Sequence, residues 1–269
     1  AWLGPELGSL ANFGAIDADG GAALFEVHNH GYRRLDAAAA PERYLVVTNF
    51  ARSGEAGQGA GYLRFERASA LFAAAPPGQL SFADILTRFA RDTGHPLLRH
   101  PAPPEWRRLP AREPYWIHTA DCPDRSITSA AVVIVGRSPA APARPATLWV
   151  LPGEPLAAVA VPLWVEAGAS PAPLWEGDEA PLWRESRRVK RVARPFGGEK
   201  KGEYLDLARL DNAEGSGYLP GLLAEEARIV TETAAFLQTA RTPAEYAAFQ
   251  ERQAARALAA LRAVPDRER

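Results

Sequence analysis

The sequence predicts an α+β chain, and three observations carry that expectation. Strand-like apolar runs and helical repeats fall in separate blocks, which argues against a doubly wound alternation. Near the start, residues 13–16 and 22–27 flank the turn-forming segment 17–21, a hairpin signature. Toward the end, residues 219–239 and 242–264 read as long helices. The second opens with Thr242-Pro243-Ala244-Glu245, a capping box with proline at the first helical position.

The elements follow in order. After the hairpin, residues 44–47 form a third apolar run that ends in Thr48-Asn49. Residues 54–61 (GEAGQGAG) are a flexible loop without the Gly-Lys-Ser/Thr ending of a phosphate-binding P-loop. A helix is expected over 62–75, with Leu63, Ala70 and Leu71 among its buried positions, ended by Pro76-Pro77-Gly78. A second helix is expected over 81–92, with Ser81 and Asp84 in capping-box spacing and Ile85, Leu86 and Phe89 as its apolar stripe. Residues 95–124 form a long loop rich in proline and aromatics. Residues 129–135 read as a strand whose continuous apolar run suggests cover on both faces. Strands are also expected over 147–151 and 157–165, before a second proline-rich connector at 166–183 and a basic stretch at 184–201. Residues 1–269 are expected to form one domain, since no repeat or linker divides them.

Composition narrows the function classes. With 47% apolar and 23% charged residues, the 269-residue chain can build a substantial core. A net charge of −1 argues against a general nucleic-acid binder. No apolar run approaches the roughly 18 residues of a membrane span, so no membrane partner is expected. The single cysteine, Cys122, excludes an intrachain disulfide and zinc sites built on several cysteines. The sequence contains no methionine, even at position 1, so it reads as a processed chain or a piece of a longer one.

Three segments taken together resemble the Ntn-hydrolase group of acyl-CoA:6-aminopenicillanate acyltransferase-like enzymes, the linear amide C–N hydrolases related to choloylglycine hydrolases. The first is NFGAIDADGGAALFE at 12–26. The second is 44–62, with Thr48-Asn49 followed by GAGY. The third is 124–165, containing DRSITSAAVVIVG, TLWVLPGEP and VAVPLWV. The resemblance covers residues 10–165 well and weakens toward 240. It implies an αββα four-layer sandwich, here incomplete at its N-terminal side. It also implies a nucleophilic cysteine exposed at a new N-terminus by autocatalytic cleavage, whose α-amino group acts as base, with no cofactor and no metal. That cysteine and its supporting aspartate would lie upstream of Ala1. The substrate implied is a small-molecule amide or acyl compound, cleaved by water or passed to an amine. The missing N-terminal segment would be a partner of this chain, covering a sheet face or edge left bare here.

Two site residues carry over by resemblance. Asn49 corresponds to the asparagine whose amide helps form the oxyanion hole. Arg125 corresponds to an arginine near the nucleophile that lowers the thiol pKa and orients substrate. On residue type alone, Asn49 reads as a turn former and Arg125 as a loop arginine.

Other residues were weighed as sites. Cys122 beside Arg125 suggests a thiolate, against the plainer reading of a buried free cysteine. His118 and Asp121 complete a triad on paper, but they lie too close in sequence for the usual geometry. His28 and His30 share a strand face as metal ligands can, without an evident third ligand. The basic stretch suits an anionic substrate or a solvated face, and Trp106, Tyr115 and Trp116 suit a pocket wall or loop packing.

Overall fold

The hairpin forms as its turn chemistry requires. In the computed structural model, which describes residues 11–28, 30–54, 60–75, 78–137, 144–198 and 200–266, strands β1 (Ala11–Ile16) and β2 (Ala22–His28) pair antiparallel, with Asn12 opposite Glu26 and Phe13 opposite Phe25. Asp17 shapes the turn: its Oδ1 accepts from the N–H groups of Asp19 (3.0 Å) and Gly21 (2.7 Å). A third strand, β3 (Gly31–Asp36), extends the sheet on the far side of β2.

The run at 44–47, expected as a strand, is not one. The residues just after it are held by side-chain bonds rather than by a sheet ladder. Asn12 Nδ2 on β1 donates to the carbonyls of Thr48 (2.9 Å) and Phe50 (3.3 Å), and Thr48 Oγ1 donates to the Gly61 carbonyl (2.9 Å). Most of the glycine-rich loop, residues 55–59, lies outside the described residues, as do Pro76 and Pro77. Helix α1 (Tyr62–Ala73) follows; none of its residues is fully buried, and Ala70 is exposed rather than inward.

The segment expected as one helix over 81–92 starts as foreseen and then changes pitch. Ser81 and Asp84 form the capping box of a single turn, α2 (Phe82–Asp84). A π-helical turn, Ile85–Phe89, replaces further α-helix, with Ala90 N–H bonded to the Ile85 carbonyl at 2.8 Å. Such wide turns occur mostly in single pieces and often beside functional sites. The long loop at 95–124 contains a short helix, α3 (Pro103–Trp106), and a strand, β4 (Trp116–His118), which pairs with β8 (Tyr204–Asp206).

A three-stranded antiparallel sheet forms from β5 (Ala130–Val135), β6 (Thr147–Pro152) and β7 (Val161–Leu163), in that order. The apolar run of β5 is not covered on both faces. It is an edge strand, and Val132 and Ile134 are 52% and 57% exposed. The strand expected over 157–165 shrinks to the three residues of β7. Residues 157–160 are fully buried without a strand partner, because charged side chains meet their backbone instead. Glu226 Oε2 accepts from Ala160 N–H (2.8 Å), and Arg91 donates to the carbonyls of Pro155 (2.8 Å) and Ala158 (3.0 Å).

Four helices close the core: α4 (Pro181–Ala193), the short α5 (Leu207–Leu210), α6 (Leu219–Phe236) and α7 (Pro243–Arg262). Helix α7 carries the foreseen capping box, Thr242 with Glu245. Leu151, Leu182, Val189, Leu222, Ile229 and Leu261 are fully buried between these helices and the sheet. At the tight junction of β6 and α4, Gly153 has φ +119°, and a Cβ there would fall 2.0 Å from Ser186 Oγ. The architecture is therefore mixed α and β with small antiparallel sheets.

Candidate functional site

The segment carrying Asn49 is held by two cross-strand neighbours. Asn12 and Glu26 face each other on β1 and β2, and both reach the same stretch. Asn12 grips the carbonyls on either side of Asn49. The Glu26 carboxylate accepts from the N–H groups of Arg52 and Ser53 and from the Ser53 hydroxyl. Burial pushes the Glu26 pKa up, but these hydrogen bonds outweigh it and hold the group below the usual carboxylate range. Ala60 N–H closes the far end on the Asn49 carbonyl (3.0 Å).

Asn49 itself is exposed, with its amide oriented by an arginine absent from the sequence-level site. Arg64 Nη2, in the first turn of α1, donates to Asn49 Oδ1 at 2.6 Å. With Oδ1 so engaged, the NH2 group of the amide is turned to the opposite side, where it can donate. Gly61 makes room for this contact. Its φ is +85°, and a Cβ there would lie 2.6 Å from Arg64 Nη2 and 3.0 Å from Thr48 Oγ1.

Arg125 belongs to the same electrostatic neighbourhood. Burial lowers the Arg64 pKa, the charge of Arg125 lowers it further, and Asp121 and Glu203 oppose both. Arg125 is quarter-exposed, with Nε 3.9 Å from Glu203 Oε1. Glu203 is buried and anchors the loop by accepting from Ser126 N–H (3.0 Å) and Thr119 Oγ1 (3.1 Å). Burial pushes its pKa up, but hydrogen bonds, led by the Ser126 N–H, bring it below the usual value. Arg64 and Arg125 thus share one electrostatic neighbourhood with the carboxylates of Asp121 and Glu203, and the Asn49 amide is attached to it through Arg64.

Asp92 links the pieces that carry the two arginines. Its carboxylate takes a bidentate ion pair from Arg67, one turn beyond Arg64 on α1, with both bonds at 2.7 Å. Its carbonyl accepts from Asp124 N–H (3.0 Å), next to Arg125. Arg64 and Arg67 stand three residues apart on one helix face, directly after the glycine-rich loop. That spacing was the available signal for this half of the site.

Behind Arg125 lies a fully buried charge network. Arg194 Nε donates to Glu154 Oε1 (2.6 Å), and Arg194 Nη2 lies 4.0 Å from Asp124 Oδ1. Burial and the neighbouring Glu154 carboxylate push the Asp124 pKa well up. A proton on Asp124 would bond the Glu154 carboxylate, since Asp124 Oδ1 and Glu154 Oε2 otherwise have only longer ion pairs, to Arg194 Nη2 (4.0 Å) and Lys190 Nζ (3.5 Å).

The remaining candidates separate clearly. Cys122 is fully buried, its Sγ donating to the Thr93 carbonyl (3.2 Å), and burial with the Asp92 charge pushes its pKa up to about 12. The His100 ring sits 3.7 Å away, but its Nδ1 is committed to the Thr93 carbonyl at 2.6 Å. A thiol so placed is not a nucleophile at neutral pH. His28 ends β2 while His30 lies in the following turn, so they do not share a strand face, and no metal-ligand cluster of three occurs among the described residues. The basic stretch divides: Arg188 bonds Glu185, Asp266 and the carbonyls of Leu261 and Val264, and Arg194 is buried, whereas Arg191, Lys200 and Lys201 are exposed. Trp106 lines a cavity, whereas Trp116 packs on Phe196. No described helix is long and apolar enough to cross a membrane.

Compared with known proteins, the chain matches no protein-family model, no curated protein and no solved structure.

Proposed function

We propose that this chain is the C-terminal part of an Ntn-type amide hydrolase or acyltransferase, acting on a linear carbon–nitrogen amide bond. The observation that carries the reading is the placement of Asn49: an exposed amide, its oxygen fixed by Arg64, whose guanidinium in turn feels the charge of Arg125. In this reading the Asn49 NH2 donates to the oxyanion that develops as a thiolate attacks the substrate carbonyl. The two guanidinium groups favour the thiolate over the thiol and orient an electron-rich substrate. The nucleophile is an N-terminal cysteine upstream of Ala1, and its α-amino group takes and returns the proton.

The αββα sandwich belongs to the same proposal. The exposed apolar side chains Phe13 and Ile16 on β1, and Val132 and Ile134 on β5, supply surfaces for the upstream segment to cover. The two strands approach one another where Gly136 meets Ile16 Cδ1.

Asn49→Ala in the full-length protein is expected to lower kcat by about 10²–10³-fold, or about 3–4 kcal/mol. Its thermal melt should be unchanged, because the side chain is exposed. Undiminished turnover would sink the assignment. The burial of Cys122 also favours a second reading, a non-catalytic binding module, because the one thiol of this chain cannot serve as nucleophile. Mass spectrometry of the native protein separates the two: a processed N-terminal cysteine on a preceding segment supports the enzyme, and a chain without one supports the module.

A further inference from the structure

A second site lies on the other side of the π turn. A cavity of about 610 Å³ opens between that turn, the 93–106 segment and the start of α6. Its volume is in the range of small-molecule sites, roughly 300–1,000 Å³. One wall is apolar, built from Leu71, Trp106, Leu156, Leu219 and Leu223.

The polar lining is strongly biased toward positive charge. Four arginines and two histidines face a single carboxylate, Asp92. Two of the arginines are already committed. Arg67 neutralises Asp92, and Arg91 is locked to Glu226 with both Nη atoms. The other two are not. Arg88 and Arg99 have side chains 68% and 91% exposed, with long ion pairs of 3.4 Å to Asp84 and 3.5 Å to Glu105, and Arg88 also lies over the Phe89 ring at 5.9 Å. Those two carboxylates are themselves engaged as helix caps, Asp84 on Ser81 and Glu105 on Ala102. The rim therefore carries two loosely held guanidinium groups above an apolar wall.

The histidines add directional groups. His95 Nδ1 accepts from the N–H groups of Leu97 (3.0 Å) and Leu98 (3.1 Å), so its proton resides on Nε2, a donor. His100 donates from Nδ1 to the Thr93 carbonyl (2.6 Å), which fixes the orientation of its ring.

We propose that this cavity binds an organic acid, a carboxylate on a medium-length alkyl or aryl body. The carboxylate pairs with Arg88 and Arg99, and the apolar body lies against Trp106, Leu156 and Leu223. The site goes beyond the amide-hydrolase reading and does not depend on it.

Calorimetric titration of the 269-residue chain with sodium octanoate tests this. Saturable binding is expected, with octanamide at least tenfold weaker. Hexanoate should bind more weakly than octanoate by about fourfold per missing methylene. The variant Arg88→Glu/Arg99→Glu alters only exposed side chains and should weaken octanoate at least tenfold while leaving octanamide unchanged. Absence of saturable octanoate binding, equal affinity for octanamide, or an unchanged affinity in the double variant would each overturn the proposal. The comparison of octanoate with octanamide on the native chain decides even where the double variant fails to fold.

Discussion

Arg91→Met is the sharpest test of how the core is held. The side chain is 3% exposed and its partner Glu226 is 0% exposed. All five guanidinium N–H groups are used. Nε bonds the Pro155 carbonyl (2.8 Å), Nη1 bonds the Leu86 carbonyl (2.7 Å) and Glu226 Oε1 (2.8 Å), and Nη2 bonds the Ala158 carbonyl (3.0 Å) and Glu226 Oε2 (2.7 Å). Methionine roughly fills the space and removes every bond. The Glu226 carboxylate then stays buried with the Ala160 N–H alone among these partners, and the Leu86 and Ala158 carbonyls lose the Arg91 donor, while the Pro155 carbonyl keeps the Ala158 N–H (3.3 Å).

Breaking one partner of a buried ion pair costs about 3–5 kcal/mol. Each orphaned carbonyl adds about 1 kcal/mol at the low end of its desolvation penalty. With two carbonyls affected, the expected loss is about 5–7 kcal/mol, comparable to the whole stability of many domains. Arg91→Lys keeps the charge but has only three donors in place of five, and should fall between the two. Removing the stranded charge with Arg91→Met/Glu226→Leu should recover part of the loss, but not all, because the carbonyls and the Ala160 N–H remain unpaired. Urea unfolding followed by tryptophan fluorescence reads all three variants. An Arg91→Met chain within about 1 kcal/mol of the parent would refute the reasoning, since a typical surface substitution changes no more than that.

Three further outcomes are expected. Asp124→Asn copies the protonated carboxyl and donates to Glu154 Oε2, so it should stabilise the chain near neutral pH by about 1–2 kcal/mol. Because the folded-state pKa of Asp124 is raised, its stabilisation is complete below the unfolded value of about 3.9 and is lost as pH rises through the folded value. The melting-temperature gain of the variant should therefore grow with pH, and parallel melting curves for both chains across that range would contradict the shared proton. Iodoacetamide should label Cys122 negligibly in the native chain at pH 7.5 and rapidly in urea; fast native labelling would show an accessible thiol. Gly61→Ala strains a left-handed position and crowds Arg64 and Thr48, so a loss of about 1–2 kcal/mol is expected by thermal melting, and an unchanged melt would mean the contact yields easily.

The parts of the fold that could be read from the sequence are those whose hydrogen bonds close locally. The β1–β2 turn is set by Asp17 reaching four residues ahead, and the caps at Ser81 and Thr242 are completed three residues on. Such chemistry is visible in a short window. Residues 44–48 and 157–160 have the same apolar look as strands. At Thr48, Ala158 and Ala160 the backbone partners are the side chains of Asn12, Arg91 and Glu226, brought from up to 67 positions away. Apolar pattern reports burial but not which groups satisfy the backbone, so both were read as strands. In the candidate site, Asn49 and Arg125 were visible only through resemblance. Arg64 carries no such signal, because a helical arginine is an ordinary surface residue until its partner is known.

The site also shows why the two arginines hold their positions although their charges repel. Neither is held chiefly by its own contacts: Arg64 has one described hydrogen bond, to the exposed Asn49, and Arg125 a single ion pair at 3.9 Å. The restraint comes from their neighbours. Arg67 fixes α1 to Asp92 with two short bonds, and Asp92 fixes the backbone of Asp124, which in turn accepts Leu156 N–H (3.1 Å) at the buried 154–158 turn. Arg91, one residue before Asp92, fastens that same turn through Pro155 and Ala158. The cation cluster is thus mounted on a buried polar frame that reaches Glu226 on α6. Repulsion between the guanidinium groups is offset by that frame and by the facing carboxylates of Asp121 and Glu203, so the pair is held without an anionic ligand. Loosening the frame at Arg91 should consequently disturb the Asn49 site as well as the core.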